Sequence, residues 1–282
     1  MFTLLKGSIG MGAQRWINVG FFKFQPSELA KLFLPGMVAM YFYHEKDTLN
    51  YRFSDYIPAL IIIVCSALLI IKQPDLGTGL LILFSGFILL WAAGLSRKFF
   101  LYSLLLLSIT APLSLKLLKP YQRQRIMVFL GAGSSANERY QIEQSKIAIG
   151  SGGFFGKGLR SGTQNTLFFL PESRTDFIFS VIGEEWGFIG TLFVIFLYIL
   201  LFSRMLLICI SLRLFHDQLL ALGLMIHIAL SALINIAMVS DLLPIVGIPL
   251  PFISYGITHI WISFASLGWF QSIVMRRHYL GG

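Results

Sequence analysis

Charge is what this sequence has least of. Asp, Glu, Lys and Arg make up 12% of its 282 residues, about half the share of an ordinary soluble domain. That scarcity excludes a disordered segment, a coiled coil or a collagen-like chain. Cysteine is almost as scarce. The two present, Cys65 and Cys209, sit inside apolar runs, which excludes a disulfide scaffold and leaves no Cys/His spacing for zinc. Lys6, Arg15 and Lys23 interrupt the first residues, so no cleavable signal peptide is expected at Met1.

What the chain has instead is apolar length. Leu76–Ser96, Gln218–Ser240 and Leu242–Met275 are uncharged stretches of 21, 23 and 34 residues, and a helix needs about 20 apolar residues to cross a bilayer. The fold class is therefore all-α, a polytopic integral membrane protein, since backbone in lipid must satisfy its own hydrogen bonds and the alternation of a barrel is absent. We read seven spans, over 27–44, 56–72, 76–95, 99–118, 183–203, 218–239 and 256–275. The net charge of +9 in so apolar a chain points to anionic lipid and no nucleic acid.

The short connections set the orientation. One side holds Lys46, Arg52, Arg97, Lys98, Arg204, Arg213, Arg276 and Arg277, and the opposite short loops hold only Lys72. The first side is expected in the cytoplasm, with the C-terminus. Seven spans then leave the basic residues 1–26 outside without a preceding span, so an odd number of helices is expected ahead of Met1. Residues 119–175 form a long external loop, and a loop of this length is usually functional.

Four stretches carry polar or broken patterns. Within the loop, residues 147–162 (IAIGSGGFFGKGLRSG) hold six glycines. A P-loop is excluded because Ser151 stands where its first glycine belongs and Gly158 follows Lys157. A dinucleotide fingerprint fails for want of a βαβ unit. A hinge and an anion-binding loop both remain open. Next, Asp176 precedes a helix and is either its cap or first-turn carboxylate, or a base at the membrane face. Glu184 and Glu185 lie two turns deeper, as a salt bridge or as functional groups. Pro26-Ser27-Glu28 opens a helix in which Glu28 and Lys31 are neighbours on one face, and Trp16 before it is an interfacial anchor or a substrate platform. Finally, 243–256 (LPIVGIPLPFISYG) has three prolines and two glycines in an uncharged run. It reads as a re-entrant hairpin.

These stretches together resemble the SEDS family of bacterial wall proteins (RodA, FtsW, SpoVE). The matching pieces are GAQRWINVGFFKFQPSELAK, KQPDLGTGLLIL, QSKIAIGSGGFFGKGLRSGTQNTLFFLPESRTDFIFSVIGEEWGFIG and LLPIVGIPLPFISYG, in family order, with QRW and GTQ leaning toward the RodA branch. The resemblance implies a single SEDS-like membrane domain over 1–282, short of the family's N-terminal spans. It implies a peptidoglycan glycosyltransferase of the plasma (inner) membrane that polymerises lipid II into β-1,4 glycan for cell-wall synthesis and cell shape. Asp176 would be the general base, and Glu28 and Lys31 would line the central cavity. Arg123, Arg125, Lys157 and Arg160 would meet the departing pyrophosphate. Mg²⁺ or Mn²⁺ is implied, held by one or two carboxylates and substrate phosphates, and a class B penicillin-binding protein is the implied partner. A lipid II flippase using Glu184, Glu185 and the proline-rich segment, or an inactive scaffold, are the alternatives. The chain departs from the family at Arg174, where histidine is usual, at Asp241, where glycine is common, and at Ile257-Thr258-His259, where the family continues Gly-Ser-Ser.

Overall fold

A computed structural model describes residues 8–10, 13–20, 22–44, 52–103, 105, 120–132, 136–167 and 169–279. The later part of the expected span 99–118, together with Lys6, Lys46 and Lys119, lies outside them. In chain order the elements are β1 (Ser8–Gly10), β2 (Ala13–Val19), β3 (Phe22–Phe24), α1 (Pro26–His44), α2 (Phe53–Lys72), α3 (Leu76–Ala92), α4 (Pro120–Phe129), α5 (Ala136–Gly152), α6 (Thr163–Thr166), α7 (Ile178–Ser211), α8 (Phe215–Val239) and α9 (Ile257–Tyr279). Residues 97–103 are also helical. Among the described residues α2, α7 and α8 are long and apolar enough to cross a membrane, and α3 is apolar but shorter.

The chain divides into two compact units. The first comprises Met1–Leu95, Leu200–Ser231 and Gly256–Gly282. Its helix starts follow from local chemistry. Pro26 needs no N–H partner in the first turn of α1, and Glu28 complements the positive helix end. Asp75 caps α3 by accepting from the Thr78 N–H at 3.2 Å, and it also accepts from Gln25 Nε2 at 2.6 Å. Helices α2 and α3 lie together because Gly86 presents no side chain: a β-carbon there would stand 2.5 Å from Ile63 Cγ2. Strands β1–β3 form an antiparallel sheet in this order, with Ile9 opposite Gln14 and Asn18 opposite Lys23. This small sheet was not expected from the sequence: β1 and β3 have three residues each, and the seven of β2 (AQRWINV) do not alternate apolar and polar.

The second unit comprises Ser96–Ile199 and Ala232–Tyr255. Here the span expected at 183–203 begins earlier, at Ile178, and is broken at Gly187, whose φ of 66° and ψ of −160° leave the helical region. Of its apolar window only 11% is buried, against 67% for α8, so α7 presents Phe188, Leu192, Phe193 and Phe196 outward as a lipid-facing helix does. The proline-rich stretch is irregular over 240–256, as its prolines require.

Candidate active site

Asp176 stands just outside α7. The Phe177 carbonyl accepts from the Ser180 and Val181 N–H groups at 3.0 and 3.4 Å, which makes Phe177 the cap and sets Asp176 one residue ahead of it. The carboxylate thus lies near the positive end of the helix without being its cap. The preceding turn closes on itself, with the Thr175 and Phe177 N–H groups donating to the Glu172 carbonyl at 3.1 and 3.2 Å.

That turn is fastened to the proline-rich segment. Asn235 Nδ2 donates to the Asp176 carbonyl at 2.9 Å and to the Ile248 carbonyl at 2.8 Å. The Ser254 hydroxyl donates to the Thr175 carbonyl at 2.6 Å, and the Tyr255 N–H donates to the Arg174 carbonyl at 2.9 Å. The half-buried carboxylate lies beside Gly247, where an added β-carbon would stand 3.4 Å from Asp176 Oδ2. From α4, Arg125 Nη1 donates to the Ile245 carbonyl at 3.1 Å. The broken segment is therefore a bracket that fixes where the acid points. Neither Asn235 nor Ser254 was singled out by sequence reasoning, and Gly247 was read only as one of the two glycines that break 243–256. An amide in the middle of the uncharged run Gln218–Ser240 was the available signal.

The glycine-rich stretch packs against the break in α7. The break at Gly187 frees the main-chain groups around it, and the stretch satisfies them. Lys157 and Gly158 N–H groups donate to the Glu184 and Glu185 carbonyls, both at 3.0 Å, while Phe188 and Ile189 donate back to Gly153 and Phe154 at 2.9 and 3.2 Å. A methyl on Gly187 would run into Gly156 N and the Phe154 carbonyl. The Glu184 side chain is fully buried and accepts from Lys157 Nζ (2.7 Å), Thr163 N–H (2.8 Å), Thr163 Oγ1 (3.0 Å) and Gln164 N–H (3.2 Å). The ammonium of Lys157 is thus committed to Glu184. Arg123 is exposed on α4. Arg160, exposed at φ 60°, lines an open hollow with Asn165, Thr166, Ser173 and Arg174. On the surface of this unit Lys146 Nζ pairs with Asp241 Oδ2 at 2.8 Å, and that hydrogen bond holds the ammonium above its ordinary pKa.

Glu28 and Lys31 belong to the first unit. Glu28 Oε1 meets Lys31 Nζ at 2.5 Å and Glu28 Oε2 meets His259 Nδ1 at 3.3 Å, all three side chains being buried. Trp16 is half-buried on β2, opposite Ser8. Among the described residues no three His, Cys, Asp or Glu side chains converge as a metal cage.

Known proteins resemble the chain over nearly its whole length. The FtsW/RodA/SpoVE family model, described as "Cell cycle protein", matches residues 1–279. The peptidoglycan glycosyltransferase MrdB of Escherichia coli K12 is 42% identical over 276 residues, covering 97% of this chain and 74% of that protein. A chain of a peptidoglycan synthase complex that coordinates polymerization and crosslinking superposes with a TM-score of 0.80 at 28% identity, over 98% of this chain and 77% of that one. The rod shape determining protein RodA of Thermus thermophilus gives a TM-score of 0.68 at 28% identity, over 99% of this chain and 74% of that one.

Proposed function

Because the chain belongs to the FtsW, RodA and SpoVE (SEDS) family, we propose that it is a multi-pass membrane glycosyltransferase that polymerises lipid II into peptidoglycan strands. The observation that carries this reading is the bracketed carboxylate: Asp176 lies at a helix start, its main chain held by Asn235 and its carboxylate beside Gly247. A sugar hydroxyl is a poor nucleophile at neutral pH, and a positioned carboxylate makes its attack easier.

In the reaction, Asp176 takes the proton from the 4-hydroxyl of the incoming lipid II. The oxygen attacks C1 of the lipid-linked sugar of the growing chain. The bond from C1 to the phosphate oxygen breaks, and its electron pair leaves with undecaprenyl pyrophosphate. Charge growing on that leaving group calls for cations already in place. Arg123 and Arg160 are exposed and suit this role. Arg125 and Lys157 do so less directly, since one braces Ile245 and the other pairs with Glu184. Glu28 and Lys31 contribute a buried charged pair, and Trp16 an aromatic face. A divalent ion, Mg²⁺ or Mn²⁺, would neutralise substrate phosphates when bound.

The C-terminus lies in the cytoplasm by the Lys/Arg asymmetry of the short loops, in the bacterial plasma membrane. A class B penicillin-binding protein is the partner; the likeness to a chain of a polymerization and crosslinking complex supports it. The engagement of Glu184 by Lys157, Thr163 and Gln164 speaks against a flippase that would need this group on a transport path. The test is purified protein with lipid II and a divalent ion, glycan products being resolved on a gel. Asp176→Asn is expected to abolish polymer, and polymer at the wild-type rate would refute the assignment.

A further inference from the structure

The hollow lined by Arg160, Asn165, Thr166, Ser173 and Arg174 has a volume of about 380 Å³ and is not filled by the contacts that hold Asp176. Its polar groups are sorted by sign. The Ser173 hydroxyl gives its hydrogen to Asn165 Oδ1 at 2.8 Å, and the Thr166 hydroxyl gives its own to the Gly162 carbonyl at 2.7 Å. The donors left over are the Asn165 amide N–H groups and two guanidinium forks. No carboxylate lines the hollow, and among the described residues neither arginine has an ion-pair partner.

Both arginines spring from fixed backbone. Arg160 follows the turn at Gly158, where the Ser161 N–H donates to the Gly158 carbonyl at 3.1 Å, and the Arg174 carbonyl is held by Tyr255. Two like charges around one hollow repel, and an oxyanion between them reverses the sign of that interaction. Guanidinium forks match phosphate oxygens in pairs. Arg174 is two residues from Asp176, so their Cα atoms are separated by at most about 7 Å.

We propose that this hollow is an oxyanion subsite for a phosphate-class group, the diphosphate of the lipid-linked donor, and that Arg174, standing where the family usually has histidine, is one of its two grips. The proposal rests on the polymerase reading for the identity of the diphosphate. When the bond from C1 to the phosphate oxygen breaks, the electron pair goes to the diphosphate, whose charge the two guanidiniums meet.

The experiment uses the full chain in phosphatidylcholine nanodiscs, titrated calorimetrically with inorganic pyrophosphate. The variants are Arg174→Gln, Arg174→Lys and the double variant Arg160→Asn/Arg174→Gln, asparagine being tolerant of the left-handed backbone at 160. Binding is expected to weaken about tenfold or more in the double variant, with Arg174→Lys intermediate because it keeps charge and loses the fork. Equal pyrophosphate affinity in wild type and double variant, or no binding by wild type, overturns the proposal. A second arm replaces phosphatidylcholine with phosphatidylglycerol. Retained pyrophosphate binding supports the diphosphate. Its abolition in wild type assigns the hollow to a phospholipid headgroup and overturns it. Because binding is read without turnover, a chain that forms no glycan yet loses pyrophosphate on substitution keeps the subsite and loses only the polymerase reading.

Discussion

Replacing Gly187 with alanine tests the stitch between the glycine-rich stretch and α7. Its φ of 66° and ψ of −160° fall in a region that glycine alone occupies freely, so a β-carbon costs about 1–3 kcal/mol in the backbone. The methyl would also meet Gly156 N and the Phe154 carbonyl, main-chain atoms that have no rotamer to escape into. Two neighbouring bonds, Phe188 N–H to Gly153 and Ile189 N–H to Phe154, would open, each contributing about 1 kcal/mol. Together the loss is roughly 4 kcal/mol, or a fall in Tm of about 8–16 °C by the scaling for domains of this size class. Trp186, the adjacent residue and more than half exposed, supplies the fluorescence signal for thermal unfolding in detergent. The control is Gly131→Ala, where φ is 77° and nothing stands within 4 Å of an added β-carbon. There only the left-handed backbone cost of about 1–2 kcal/mol applies. Equal shifts for the two variants would refute the stitch.

Asn235→Ala leaves the Asp176 and Ile248 carbonyls without their shared donor. It should cost about 1–3 kcal/mol in denaturant unfolding and lower kcat by at least about tenfold through misplacement of the acid, with KM for lipid II little changed; an unaltered kcat would count against the bracket. Glu184→Gln keeps the shape but strands the Lys157 ammonium, and should destabilise by about 2–3 kcal/mol. Adding Lys157→Met should recover part of that loss in thermal unfolding, and strictly additive losses would mean that the two do not act as a pair.

What the sequence made legible is what local chemistry decides. Pro26-Ser27-Glu28 starts α1 because proline, serine and an acid each suit a helix entry, and the three prolines of 243–256 exclude a regular helix. What it hid depends on distant partners. Nothing in the six glycines of 147–162 announces that Lys157 and Gly158 will bond the Glu184 and Glu185 carbonyls, because the carbonyls become available only when Gly187 breaks its helix. The stretch is matched to an interrupted helix. Asn235 was readable in part: an amide inside an apolar run needs partners, but which carbonyls it would find, Asp176 and Ile248, is settled by the fold.

The departures from the family carry the last argument. Asp241 stands where glycine is common and takes the left-handed φ of 59°, a conformation that aspartate tolerates better than most residues, and its carboxylate pairs with Lys146. Thr258 accepts from the Gln25 N–H and donates to the Lys23 carbonyl, both at 3.3 Å. His259 is buried against Glu28. Each of these three side chains has a partner within its own unit, so the fold accommodates these departures. Arg174 is the exception. Its main chain is fixed by Tyr255, yet its guanidinium faces a hollow without a carboxylate. Among the described residues no carboxylate pairs with this guanidinium, which leaves it available to the anion of the proposed subsite.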